Sequence, residues 1–373
     1  MGGSTSMFAL GAPDGHPSAA LTRSPLSCQP NPAPMRKPCP SWGLFLFVYL
    51  LAALLPTWLP AMQLEDQKHQ DELPPLIHAI QNDQVEQAIA LILKDDSCLA
   101  ERHPSYRGTP LHTACYHHGR LELLGLLVGK GLDVNKPNKD KKTPLHDACM
   151  QDHVEVARFL LRCGAEPAAK DKWGETPLYV ASCNGHLDIV RALVASCPEL
   201  LFPQNNYGEY PIYGAIWGSA QWKYQQGDHL GVVQCFLEKA SGLLHITNDH
   251  DQTLLHTACQ FNAAAIAQEL LQQGADPLAQ DMGGNSPLHT ACFYGSFEAV
   301  QCLVAADHNL TQLENQKQKK PIDSARIGLN QARKDIVKLE RQKPGRKRDR
   351  KLKQAKTRQQ SCQQIITYLK RLQ

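Results

Sequence analysis

Over most of this chain, short apolar clusters recur at helical spacing and are separated by polar, glycine-containing turns at a nearly constant interval. In Thr109-Pro110-Leu111-His112-Thr113-Ala114-Cys115, Leu111, Ala114 and Cys115 share one face of a helix. Thr109 is placed to cap an orphan backbone amide, and Pro110 at the first helical position gives up no hydrogen bond. A second amphipathic helix is predicted after a His-Leu pair or its equivalent, as in His186-Leu187-Asp188-Ile189-Val190-Arg191-Ala192-Leu193-Val194. Gly131, Gly164 and Gly274 stand where a left-handed residue would stop that helix. The residues that follow, such as Asp133 to Lys142, are rich in Asn, Asp, Lys and Gly, as a projecting turn requires.

Copies of the first helix begin at Thr109, Thr143, Thr176, Tyr210, Thr253, Ser286 and Lys320, in steps of 34, 33, 34, 43, 33 and 34 residues. A period of that length implies a stacked array in which each unit covers its neighbour, so no single large core is needed. With Pro75-Leu76-Ile77-His78-Ala79-Ile80 as an atypical first unit, eight units are expected. The Thr-Pro-Leu-His-x-Ala signature and the Gly274-Ala275-Asp276-Pro277 and Gly164-Ala165-Glu166-Pro167 turns resemble the ankyrin repeat family. That resemblance, over about Leu73 to Gln373, implies an all-α solenoid of helix pairs with short β-turn fingers along one edge, used to bind other proteins. Tyr210, Leu254 and Lys320 depart from the pattern, losing the capping residue or the helical proline.

The expected organisation is a Pro/Ser-rich disordered segment at 1–41, an apolar segment at 42–62, a capping repeat at 73–108, the array at 109–318, and a C-terminal cap at 319–373. Residues 42–62 carry no charge, lie between Arg36-Lys37 and Glu65-Asp66, and could just cross a bilayer. Their continuous apolar part, Leu44 to Leu55, has the length of a signal-peptide core, and a start at Met35 would complete a signal-peptide order. Both readings place the repeats outside the cytoplasm; the array is cytoplasmic if the segment is not used. The 13 cysteines pull the other way. Cys115, Cys149, Cys259 and Cys292 repeat at one position, the mark of small buried hydrophobes and not of a disulfide framework.

Composition excludes little else. The net charge of +3 conceals a stretch from Arg333 to Arg358 with net +10, which leaves −7 on the remainder. The seam Ile322, Ala325, Leu329, Ala332, Ile336, Leu339 predicts an overlong, coiled-coil-like helix. After Pro344-Gly345, a second helix can return along it. The cationic tip of this hairpin, Arg346, Lys347, Arg348, Arg350 and Lys351, is the candidate anion-binding site, for an anionic membrane surface or another polyanion. The His-Cys pairs three apart (112/115, 146/149, 256/259, 289/292) have the spacing of zinc ligands but simply follow the repeat, so no metal is assigned. No cofactor or catalytic constellation is evident, and the chain is read as non-enzymatic.

Candidate partner-binding residues are Tyr106, Trp173 and Tyr207, each three residues before a motif, with Lys170 and Lys172 beside Trp173. The unit that starts at Tyr210 is about nine residues longer than the others, an insertion expected within 214–226 that carries Trp217, Trp222 and Tyr224. The function that follows is a monomeric scaffold for a protein partner, exported or membrane-tethered. Alternatives are an envelope or stress factor acting at a membrane surface through its basic hairpin, and an enzyme with a cryptic site in the insertion.

Overall fold

A computed structural model describes residues 73–220 and 226–372. These residues form helix pairs in strict succession: α1 (Pro75–Gln81) with α2 (Val85–Lys94), α3 (Pro110–His117) with α4 (Leu121–Gly129), and α5 (Pro144–Met150) with α6 (Val154–Arg162). Next come α7 (Pro177–Asn184) with α8 (Leu187–Ser196), α9 (Pro211–Ser219) with α10 (His229–Lys239), and α11 (Leu254–Gln260) with α12 (Ala264–Gln272). The series ends with α13 (Pro287–Tyr294) and α14 (Phe297–Ala306), then the long α15 (Pro321–Glu340) and α16 (Arg346–Arg371). Odd-numbered helices pack on one another in series and even-numbered helices form a second layer, which makes a helical solenoid. Among the described residues, β pairing is limited to one isolated bridge between Thr247 and Thr253.

The motif explains the layers. Leu111, Leu145, Leu178, Ile212, Leu255, Leu288 and Ile322 are buried at one register, and the alanines three residues on (Ala114, Ala148, Ala181, Ala215, Ala258, Ala291 and Ala325) are buried beside them. Each large side chain stabilises its contact by roughly 1.5–3 kcal/mol, and the small alanines let successive inner helices approach. Thr109, Thr253 and Ser286 each accept the backbone N–H of the histidine three residues on, so the helix starts are capped as their sequence suggests. Helices also begin after Tyr210 and Lys320, where the hydroxyl cap is missing. Pro211 and Pro321 hold the first turn there, and Asp323 accepts the Lys320 N–H at 3.3 Å. Gly131, Gly164 and Gly274 adopt φ of 89°, 85° and 91° at the ends of the outer helices.

The first six residues of the 214–226 span expected to hold the insertion are helical. Residues Gly214 to Ser219 belong to α9, and Trp217 is half-buried on that helix instead of in a loop. Glycine serves packing at these positions. A Cβ on Gly218 would overlap the Cys183 carbonyl oxygen of α7, and one on Gly214 would come within 3.0 Å of the Cys183 sulfur. Gly328 of α15 makes a similar approach, where a Cβ would overlap the Phe293 carbonyl of α13. Gly218 and Gly328 therefore mark places where two inner helices meet backbone to backbone. The apolar segment 42–62, the N-terminal segment 1–41, Trp222 and Tyr224 lie outside the described residues.

The last unit is a helical hairpin. Ile322, Ala325, Leu329 and Ala332 of α15 and Cys362, Ile365, Ile366 and Leu369 of α16 are buried against each other and the preceding unit. Towards the tip burial falls, and Ile336, Leu339, Leu352 and Ala355 are only half-buried. Arg358 clamps the hairpin to α13, donating from Nη2 to the Phe293 carbonyl at 2.8 Å while its guanidinium lies 4.9 Å from the Phe293 ring. The close approach of α9 to α7 is directly testable. Gly218→Ala should cost about 2 kcal/mol or more by forcing those helices apart. Gly125→Ala, on the exposed side of α4 with nothing near the new methyl group, should stabilise by about 0.5–1 kcal/mol. Urea midpoints of the two variants on opposite sides of the unsubstituted chain are the expected result.

Candidate functional site

The elements that could present a binding surface are the turns between units, and two hydrogen-bond devices hold them. The first starts at the motif histidine. His112 Nδ1 accepts the Thr109 N–H at 3.1 Å, which leaves the proton on Nε2, and Nε2 donates to the carbonyl of Lys142 at 3.0 Å, at the base of the next turn. His146 does the same to Glu175 (3.1 Å), His256 to Asn285 (2.9 Å) and His289 to Lys319 (2.8 Å). Where the histidine is replaced by tyrosine the reach is kept: the Tyr179 hydroxyl donates to Glu209 Oε2 at 2.9 Å, and that of Tyr213 to the Gln252 carbonyl at 2.8 Å. With both nitrogens so engaged and their partners Cys115, Cys149, Cys259 and Cys292 buried, the His-Cys pairs serve packing and not coordination.

The second device folds each fingertip. Asn138 Oδ1 accepts the N–H groups of Asp140 (2.9 Å) and Lys142 (3.1 Å). The same pair of bonds recurs at Asp171, Asn205, Asn248, Asp281 and Asn315. An Asx side chain thus replaces ordinary turn hydrogen bonds and holds the loop rigid. Neighbouring fingers are tied by backbone bonds, Lys139 N–H to the Tyr106 carbonyl (3.1 Å), Lys172 to Asp140 (2.9 Å), Asn206 to Trp173 (3.0 Å) and Met282 to His250 (3.2 Å).

On this edge the candidate partner-binding residues take different places. Trp173 is half-buried, with Lys172 Nζ 4.2 Å and Lys142 Nζ 5.6 Å from its ring centroid, and Lys172 also pairs with Asp140 at 2.5 Å. Lys170 donates to the Gln204 carbonyl of the next finger at 2.8 Å. Tyr207, on that next finger, is 40% exposed, and Phe202 is exposed nearby in sequence. Tyr106 instead folds back on its own unit, stacked on His103 at 4.1 Å with its hydroxyl 3.0 Å from Thr113 Oγ1. The structure therefore joins Trp173, Lys170, Lys172 and Tyr207 on adjacent fingers. Trp217 is on α9, apart from the fingertips in sequence. At the hairpin tip Arg346 and Lys347 are exposed, Arg348 pairs with Asp349 at 3.4 Å, and the positive neighbours Lys347 and Lys338 add to burial in holding the Lys351 pKa down.

Beneath these fingers lies a group of carboxylates that the motif conceals. Asp147 occupies the position of Thr113, is 5% exposed, and has no hydrogen-bond partner for Oδ2. Burial raises its pKa to about 7, while the nearby Lys142 ammonium works in the opposite sense. Glu175 is likewise raised to about 7 by burial, with Asp171 adding to the shift, and burial raises Asp171 and Glu209 as well. Burial lowers the histidines instead, His112 to about 4 and His146 to about 3.

A model described as ankyrin repeats (three copies) matches residues 117–201, 148–241 and 220–313, together more than half of the chain. The chain belongs to the ankyrin repeat family. The B-cell lymphoma 3 protein homolog of Mus musculus is 28% identical over 233 residues, 60% of this chain and 50% of that protein. Rabankyrin-5 of Mus musculus is 30% identical over 206 residues, 52% of this chain and 17% of its own length. The crystal structure of the ankyrin repeat domain of Bcl-3 is 28% identical and covers 58% of this chain and 93% of that one, with a TM-score of 0.48. The matched stretch spans no more than half the length of these curated relatives. Ankyrin repeats typically mediate protein–protein interaction, and they generally serve as scaffolds and not as enzymes.

In this ankyrin array the buried acids and histidines act on stability with opposite sign. A neutral histidine with a lowered pKa stabilises above about pH 6.5, and this is lost as pH falls towards 4 and below. Asp147, with a raised pKa, stabilises at low pH, and this is lost as pH rises through about 7. Asp147→Asn removes only the second effect. The difference in unfolding free energy between the variant and the unsubstituted chain should shift by roughly 3 kcal/mol in favour of the variant between pH 5 and pH 8. Urea titrations of both proteins across that range check it, and a difference that stays constant with pH would refute the assignment.

Proposed function

We propose that this chain is a non-enzymatic ankyrin scaffold that holds a protein partner along its finger edge, with Trp173 as the anchor and Tyr207, Lys170 and Lys172 around it. The observation that carries this reading is the fixed presentation of Trp173. Its backbone is held by the Asp171 carboxylate and by Asn206, and cations lie over its ring. An aromatic side chain that is already ordered loses little entropy when a partner covers it, and Trp flanked by cations is typical of interface hot spots. A second reading concerns the hairpin tip. Arg346, Lys347, Arg348, Arg350 and Lys351 face few acids in the sequence, which favours contact with an anionic surface.

Replacing the anchor tests the first reading. Trp173→Ala should weaken a captured protein partner by roughly 2 kcal/mol, about thirtyfold, while Trp173→Phe retains most of the affinity. If binding survives Trp173→Ala and the urea midpoint falls instead, the ring only braces its finger.

The place of action is part of the same proposal. Residues 42–62 would act as a signal peptide or anchor, with Arg36 and Lys37 retained on the cytoplasmic side and the repeats exported. Among the described residues no helix is long and apolar enough to cross a membrane. A phosphatase reporter that works only after export, fused after Gln373, is expected to be active. Activity confined to a reporter that works only in the cytoplasm would refute export.

A further inference from the structure

Outside the finger edge, the C-terminal hairpin forms an open groove of about 740 Å³ against α14. Its base is apolar. Phe297 of α14 meets Tyr368 of α16 edge to face with ring centroids 5.8 Å apart, and Leu329 of α15 closes the floor. Its rim is cationic, made by Arg333, Lys356 and Arg371, and the lining contains no Asp or Glu. Arg333 and Arg371 form no ion pair among the described residues, and Lys356 reaches only Glu340, at 3.4 Å, with both side chains about half exposed. Such an exposed pair is worth little and is readily exchanged.

The stretch of α16 that forms one wall is unusual in composition. Between Lys356 and Arg371, the wall-lining positions Gln359, Gln360, Gln363, Gln364 and Thr367 advance by threes and fours or sit beside one another, so they make one stripe. The four glutamine side chains make no hydrogen bond to other described residues. At 1.5 Å per residue the wall from Lys356 to Arg371 that carries the stripe is roughly 22 Å long, the length of six or seven extended residues or four helical turns. A cation stands at each end of it.

We propose that this groove docks an acidic peptide segment of a protein partner. Its apolar side chains would rest on Phe297, Leu329 and Tyr368, its carboxylates would meet Arg333, Lys356 and Arg371, and its polar groups would bond the glutamine stripe. Charge complementarity selects the occupant, since an apolar floor with an all-cationic rim repels a basic segment and has no partner for one. The floor and amide stripe also favour a peptide over a nucleic acid, which asks for a continuous cationic track and stacking faces. The tip residues Arg346 to Lys351 lie further along the same hairpin and would speed the approach of an acidic chain without contacting it. This surface is separate from the Trp173 edge, and the two can fail independently.

The test uses the full chain and a fluorescein-labelled peptide of about fifteen residues built from Glu, Leu and Phe, read by fluorescence anisotropy. The same peptide with Gln for Glu, a single-stranded oligonucleotide and phosphatidylserine vesicles serve as competing probes. The acidic peptide should bind, and Arg333→Glu with Arg371→Glu should weaken it about tenfold or more. Trp173→Ala, and neutralisation of Arg346, Lys347, Arg348, Arg350 and Lys351 to Gln, should each change its Kd less than about threefold. Should the double variant lose helicity, Gln360→Glu with Gln364→Glu, both exposed, is expected to weaken binding about fivefold in its place. The proposal is overturned if the acidic peptide does not bind, if the groove variants leave its Kd unchanged, or if neutralising the tip abolishes binding as fully. It is also overturned if the oligonucleotide or the vesicles bind more tightly with the same dependence on Arg333 and Arg371.

Discussion

The array depends on one side-chain bridge more than on any other polar contact: a neutral ring or phenol on the first turn of an inner helix, reaching the base of the following finger. His112, His146, Tyr179, Tyr213, His256 and His289 form an unbroken series from the second unit to the start of the hairpin. Each imidazole also closes its own helix start by accepting a backbone N–H, so one residue couples local capping to the register between units. Because a solenoid unit is stabilised only by its neighbours, these bridges are where cooperativity passes along the chain. Protonating the ring would remove the acceptor at Nδ1, which is why burial and the bridge belong together.

The middle of the array has exchanged part of that neutral scheme for charge. Tyr179 replaces a histidine and bonds a carboxylate instead of a carbonyl; Asn205 Nδ2 donates to the same Glu209 Oε2 at 3.1 Å. Asp147, Asp171 and Glu175 lie near Lys142, which attracts all three. Buried carboxylates of this kind cost stability unless fully paired. Their concentration under Trp173 and Tyr207, the aromatic fingers, coincides with the surface proposed for partner binding. On that proposal, stability is given up where presentation is needed, a common feature of functional surfaces.

Much of the fold is legible because its signals are local. A hydroxyl before a proline and an alanine three residues after a leucine dictate where each inner helix begins and which face it buries, and Gly131, Gly164 and Gly274 mark where outer helices stop. Local signals do not account for the glycines of α9. Gly214 and Gly218 stand within the helix where α7 and α9 meet too closely for a methyl group, a tertiary cause that no local window contains. The fingertip device escapes a motif-centred reading although its signal is present: Asn138, Asp171, Asn205, Asn248, Asp281 and Asn315 follow the same steps as the motif. Trp173, Lys170 and Lys172 can be nominated from sequence, but Tyr106 cannot be separated from them. Its inward turn onto Thr113 depends on His103 stacking beneath it.

The fingertip device has an evolutionary consequence. Since the Asx carboxylate or amide closes the turn by accepting backbone N–H groups, the side chain two places on takes no part in the two bonds that close it. Asp140, Trp173, Tyr207, His250, Gly283 and Lys317 all occupy that one place. Acid, indole, phenol, imidazole, glycine and ammonium all stand there with the same backbone bond to the Asx side chain. The edge behaves like a row of type slots, each able to change its letter without recasting the frame, so a lineage could revise what the protein recognises one substitution at a time while the solenoid beneath stays under separate selection.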